Sequence, residues 1–140
     1  MSGSLSEYAA EALLAHAIGK TAFTMPTTYV ALCTTLPTSA STGATIVEAT
    51  YTGYARLATS GDWGAPVAGT PSTISNSTAL TFAACTAGTS TIVGFAIVDS
   101  ATTGAGNVIA WGSCASTVIS TTQTPPTFAI GALELTLTAS

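Results

Sequence analysis

One histidine, three cysteines, six acids and two bases are the titratable and nucleophilic side chains of greatest interest in this 140-residue chain. Hydrolysis by a general base needs an imidazole or carboxylate held against a nucleophile or a water. His16 is the lone imidazole, and Asp62, Asp99 or a serine would have to reach it from far along the chain. A solitary histidine on an apolar helical face is ordinarily a packed residue with one hydrogen bond, so no catalytic residue is assigned. Cys33, Cys85 and Cys114 contain no C-x-x-C pair, which removes zinc spacing, and no metal ligand set is expected. Each cysteine lies in or beside an apolar stretch. Two readings stay open for them: buried reduced thiols acting as small hydrophobes, or a disulfide of unspecified pairing, which leaves an odd thiol free or bonded to another chain.

Arg56 sits in an otherwise uncharged segment, so an inward guanidinium must find a carboxylate or carbonyls. A structural ion pair of Arg56 with Asp99 is expected, Asp62 and Glu48 being the other acids available. The glycines of Gly104-Ala105-Gly106 lack the following helix and lysine of a phosphate cradle, so no cofactor is expected there. Trp63, Trp111, Tyr51 and Tyr54 could stack on a sugar, but core packing is the stronger expectation for all of them.

The elements that must position these groups are written in an unusual composition. Charged residues make up 6 per cent of the chain, against about 25 per cent in ordinary soluble proteins, and mean hydropathy is +0.54. A surface this neutral is expected to be covered in large part by neighbouring subunits or partners. With Lys20 and Arg56 the only basic side chains and a formal net charge of −4, no phosphate-binding surface can be assembled, and nucleic acid is excluded as a partner. The uncharged span from Trp63 to Val98 is broken by Pro66, Pro71, Asn76 and many hydroxyl residues, so no membrane span is expected. Met1 to Glu11 has no basic start and carries two acids, unlike a secretory signal, which implies synthesis in a host cytoplasm.

Ser4 followed by Glu7 fits a capping box, and Gly19 suits a helix end, predicting a helix over about 5–18. Leu5, Tyr8, Ala9, Ala12 and His16 fall on its core-facing side. Leu14 and Ile18 project the opposite way, forming an apolar patch that reads as a subunit interface. Strands are predicted at Thr27 to Thr35, Thr45 to Ala49, Tyr51 to Ala58, Ala79 to Ala84, near Thr117 to Ser120, and at Leu133 to Thr138, with Gly61 to Ser72 irregular. The clearest pair is Ile92 to Val98 and Val108 to Trp111, two apolar runs around a turn-rich loop, expected to be a hairpin with a flexible tip. One helix before many short, turn-separated strands indicates a single mainly-β domain over residues 1–140. The expected form is an antiparallel β-sandwich, jelly-roll-like, with one N-terminal helix.

The chain resembles a family of short tailed-bacteriophage virion proteins, labelled tail fibre, minor capsid or head decoration proteins. The resemblance is carried by SLSEYAAEALLAHAIGKTAFTMPTTYVALCTTLPT at Ser4 to Thr38, GYAR at Gly53 to Arg56, GFAIVDSATTGAGNVIAWG at Gly94 to Gly112 and FAIGALELTL at Phe128 to Leu137. It implies a non-enzymatic structural component of the virion, present in many copies. The expectation drawn from it is a capsid decoration or cement protein on the head exterior, a homotrimer that bridges subunits of the major capsid protein. The alternative is a tail or tail-fibre component that contacts the host surface. The cysteines depart from the family pattern, and a virion outside its host meets oxidising conditions in which a disulfide would persist.

Overall fold

The computed structural model describes residues 1–138. Its clearest feature is the expected hairpin, now longer at both ends: β6 (Thr89–Val98) and β7 (Val108–Ser120) pair antiparallel, with Phe95 opposite Gly112 and Ile97 opposite Ala110. The segment near Thr117 to Ser120 is the continuation of β7 rather than a separate strand. Around this pair are β1 (Ser2–Leu5), β2 (Tyr29–Cys33), β3 (Leu57–Ala58), β4 (Ser72–Ser75) and β9 (Glu134–Leu137). They form one seven-stranded sheet in the order β3-β2-β6-β7-β1-β9-β4. All its ladders are antiparallel except β1 with β9. A second sheet is the short pair β5 (Leu80–Thr81) and β8 (Thr127–Phe128).

Alternation of side chains across the sheet sorts the core into two layers. Val30, Leu32, Phe95, Ile97 and Ala110 face the layer that carries Tyr51, Leu80, Phe82, Phe128 and Leu133. An aromatic chain links them, Tyr51 to Tyr54 to Phe82 to Phe128 to Phe95, with ring centroids 5.6 to 6.3 Å apart. Ala31, Cys33, Ala96, Val98 and Val108 occupy the opposite face, with Ile46 and Trp111 against them. This is a mainly-β, sandwich-like fold with one helix near its start. Asn76 is buried, with its side chain accepting from the Leu133 amide at 2.9 Å and donating to the Thr78 and Ala129 carbonyls, which ties the β4–β5 connection to the chain before β9.

The helix α1 (Glu7–Ala17) is shorter than expected and capped differently. Ser6, not Ser4, accepts from the Ala9 amide, and its hydroxyl donates to the Val108 carbonyl, so the cap is also a tether to β7. Ser4 and Leu5 belong to β1, a strand missed because Ser-Gly-Ser-Leu has no β-branched residue. Gly3 is the residue that lets this strand in: a Cβ there would meet the Trp111 carbonyl at 2.9 Å and the Phe95 ring at 3.0 Å. Only Ala9 on α1 is buried, while Tyr8 is 42 per cent exposed and His16 is exposed. The predicted broad core face is therefore a narrow alanine stripe lying on β7. The predicted strands at Tyr51 to Ala58 and Ala79 to Ala84 shrink to two residues each, and Thr45 to Ala49 makes only an isolated bridge from Glu48 to Cys33. Ser72 to Ser75 is a strand that sequence reading did not place.

Candidate functional site

The lone arginine is the centre of a closed polar cluster. Arg56 and Glu48 side chains are 0 and 4 per cent exposed, and the Arg56 Nη2 to Glu48 Oε1 distance is 2.7 Å. The Arg56 Nε donates to both carboxylate oxygens at 3.2 and 3.1 Å. Its remaining N–H groups donate to the Ser100 carbonyl at 2.9 Å, Ala105 at 2.8 Å and Gly43 at 3.1 Å. A guanidinium has five N–H donors in a rigid fork, and every one is engaged here. The Tyr54 hydroxyl donates to Glu48 Oε2 at 2.7 Å and accepts from the Leu32 amide at 3.1 Å. Burial, followed by that hydrogen bond to the carboxylate, pushes the Tyr54 phenol well above its usual range.

The ion-pair partner is thus Glu48, and the expected pairing of Arg56 with Asp99 is corrected. Asp99 serves the hairpin loop instead, accepting from the Asn107 amide at 2.6 Å and from its Nδ2 at 2.8 Å. Loop geometry explains the exchange. Gly106 has φ +85°, and a Cβ there would lie 2.5 Å from Asp99 Oδ1, so the loop closes on its own aspartate. Gly43 then packs flush against it, where a Cβ would come within 2.0 Å of the Ala105 carbonyl, and the Gly43 amide donates to Gly106 at 2.9 Å. The expected flexible tip is consequently a loop held from three sides. Arg56 holds its carbonyls, Asp99 its turn, and the 42–43 segment its outer flank.

The other reactive residues are dispersed. His16 Nδ1 accepts from the Phe23 amide at 3.1 Å on the exposed side of α1. Cys33, Cys85 and Cys114 are all free thiols, the first two buried and Cys114 half-buried. Burial, with the nearby Glu48 charge, pushes the Cys33 thiol up to about 12. Burial also raises Cys114. Tyr51 is buried, Tyr54 and Trp63 pack against the main core, and Trp111 packs against the opposite layer, so all four aromatics named as a possible sugar platform are engaged in packing. Among the described residues, no three His, Cys, Asp or Glu side chains gather as metal ligands, and no helix is long and apolar enough to cross a membrane.

Unlike these closed clusters, the helix and the segment that follows it present apolar atoms to solvent. Leu14 is 68 per cent exposed, Ile18 77 per cent and Met25 90 per cent. Beside the helix, Leu5, Leu13, Pro66, Ile74, Leu135 and Leu137 line a groove of about 230 Å³ between α1 and the β9–β4 edge. No sequence signal announced the groove, because the alternation of Leu133, Leu135 and Leu137 places them on one face of a strand without saying what that face meets. What the surface can do is bury area against another chain.

A family model described as podophage GP4 fiber I protein gp80 matches residues 4–136. No curated protein matches the sequence.

Proposed function

The chain belongs to that podophage fiber I family, a family of phage virion structural proteins, and on this premise we propose that it is a non-enzymatic component of a virion fibre. The observation that carries the reading is the match itself, which spans nearly every element from β1 to β9. The architecture supports it. The lone arginine is spent on stapling loops, and the histidine and cysteines do not converge on one another. Leu14 and Ile18 stand out on α1, and we assign them to contacts with further copies or with neighbouring virion chains. Burying each side chain fully is worth roughly 1.5–3 kcal/mol, and repetition along an assembly multiplies weak contacts.

A capsid decoration protein bridging major capsid subunits would use the same apolar surface, but the family description names a fibre and lends it no support. The expected trimer rested on the resemblance and on the three-fold sites of an icosahedral shell. A fibre reading removes the second basis and leaves the oligomer order to the contacts the chain itself offers. Gold-labelled antibodies against the protein, imaged on intact particles, test the placement: label on fibres at the tail supports the reading, and label spread over the head overturns it.

A further inference from the structure

The outer edge of β7 loses its partner halfway along. From Ala110 to Gly112 it is laddered to β1, with Leu5 opposite Ala110 and Gly3 opposite Gly112. Farther on, among the described residues, β7 pairs with β6 alone. A register shift opposite Ile92 and Gly94 disturbs Cys114 to Ser116, and then Thr117 to Ser120 resumes a regular ladder with Thr89 to Ile92. Ala115 to Val118 are exposed, and nothing from Cys114 to Ser120 is charged or a proline. Charge and proline are two principal means by which natural edges repel an added strand.

Two hollows that share Thr117, Ile119, Pro126 and Thr127 adjoin this edge. The first, about 450 Å³, has Thr117, Val118 and Ile119 on one wall and the returning chain from Gln123 to Thr127 on the other. Successive strand residues point to opposite faces, so a hollow touched by all three must face the backbone edge between them. Across it stand Pro125 and Pro126, which have no N–H to offer β7. The second hollow, about 220 Å³, continues towards Met1 and is floored by Leu32, Ile92, Ile119 and Phe128. Neither lining contains a charged side chain.

We propose that this cleft takes up one extended segment of a partner polypeptide, added as a strand along Thr117 to Ser120. The outward backbone groups before the Ser120 carbonyl, which itself accepts from the Gln123 amide at 3.1 Å, call for a peptide main chain, the ligand that matches their spacing. The apolar floor calls for an apolar side chain at alternate positions of that segment, and the absence of charged side chains from both linings leaves a charged side chain on it without a side-chain partner. Because Pro125 and Pro126 offer no amides to its far side, the added strand ends the sheet there, and one segment is bound rather than a growing stack. The inference rests on the cleft alone and holds wherever in the virion the protein sits.

The test uses an acetylated, dye-labelled octapeptide, Ser-Val-Thr-Val-Ser-Val-Thr-Ser, titrated against the full chain by fluorescence anisotropy with hydrogen exchange read in parallel. Saturable binding is expected, with new protection at those amides of Thr117 to Ser120 that point away from β6. Methylating one alternate set of peptide amides should weaken binding at least tenfold while methylating the other set does not. Ala115→Trp, whose ring would fill the second hollow, should weaken it similarly at an unchanged thermal midpoint. The methylated peptides keep the test decisive even if that variant misfolds. Absence of binding, indifference to both methylation patterns, or protection elsewhere would overturn the proposal. So would protection of the same amides by self-association of the chain without peptide, which would make a second copy the occupant.

Discussion

Arg56 and Glu48, eight residues apart in the chain, meet as a buried ion pair whose arginine also holds carbonyls from two separate loops, at Gly43 and at Ser100 and Ala105. Two charges cut off from water are stable only when every donor and lone pair is engaged, and here the guanidinium's five donors are. The pair therefore acts as a staple for one end of the sandwich.

Removing one partner strands the other in the interior. Glu48→Gln and Arg56→Ala should each cost about 3–5 kcal/mol in urea unfolding. Arg56→Lys should cost nearly as much, since an ammonium cannot reproduce the planar fork. The double variant Glu48→Leu with Arg56→Met should lie closer to wild type than either single change, because no charge is left buried. An additive double variant would show that the two residues act independently.

The loop contact gives a second expectation. Gly43→Ala places a methyl group on the Ala105 carbonyl and should destabilise by about 1–3 kcal/mol. Gly104→Ala meets nothing within 4 Å, so only its positive φ of +78° opposes it, and its cost should be smaller. Thermal midpoints measured side by side check the order, and a larger loss at Gly104 would mean that the flank contact is unimportant.

Why the hairpin was legible and the staple was not follows from what each leaves in the sequence. Ile92 to Val98 and Val108 to Trp111 announce themselves as apolar runs of β-branched and aromatic residues around a turn. Glu48 sits in Ile-Val-Glu-Ala, where nothing distinguishes an acid turned inward from one in solvent, and Asp62 and Asp99 offered the same carboxylate. The helix misled in another way. Its periodicity was real, but the side buried on β7 is as narrow as Ala9, so Tyr8 and His16 were counted in a core that only small residues reach. Strands such as β1 and β4 are held by their neighbours' ladders and carry little propensity of their own.

The thiols should separate by accessibility. Cys114 should react with iodoacetamide first, and Cys33, whose thiol burial pushes up to about 12, last. The sign of the pH dependence follows. With its folded pKa above the unfolded value near 8.5, Cys33 contributes stability that is complete below about pH 8.5 and is lost as pH rises towards about 12. Cys33→Ala should flatten that alkaline limb of the stability curve. If particles contain inter-chain disulfides, Cys114→Ser should abolish the covalent oligomers seen without reductant. Persistence of those oligomers would place the bond on a residue that is buried in the single chain.

Leu14 and Ile18 are exposed enough that changing both to Ser should leave unfolding free energy within about 0.5 kcal/mol per site of wild type. Self-association in sedimentation velocity, and incorporation into particles, should fall. A variant that unfolds would place that face in the core.

Copy number on purified particles tests the central claim most directly. Quantitative mass spectrometry of virions, normalised to the major capsid protein, should find the protein at the stoichiometry of fibres, a few to tens of copies per particle, and removing the tails should remove it. Hundreds of copies that stay with tailless heads would contradict the fibre assignment and restore capsid decoration.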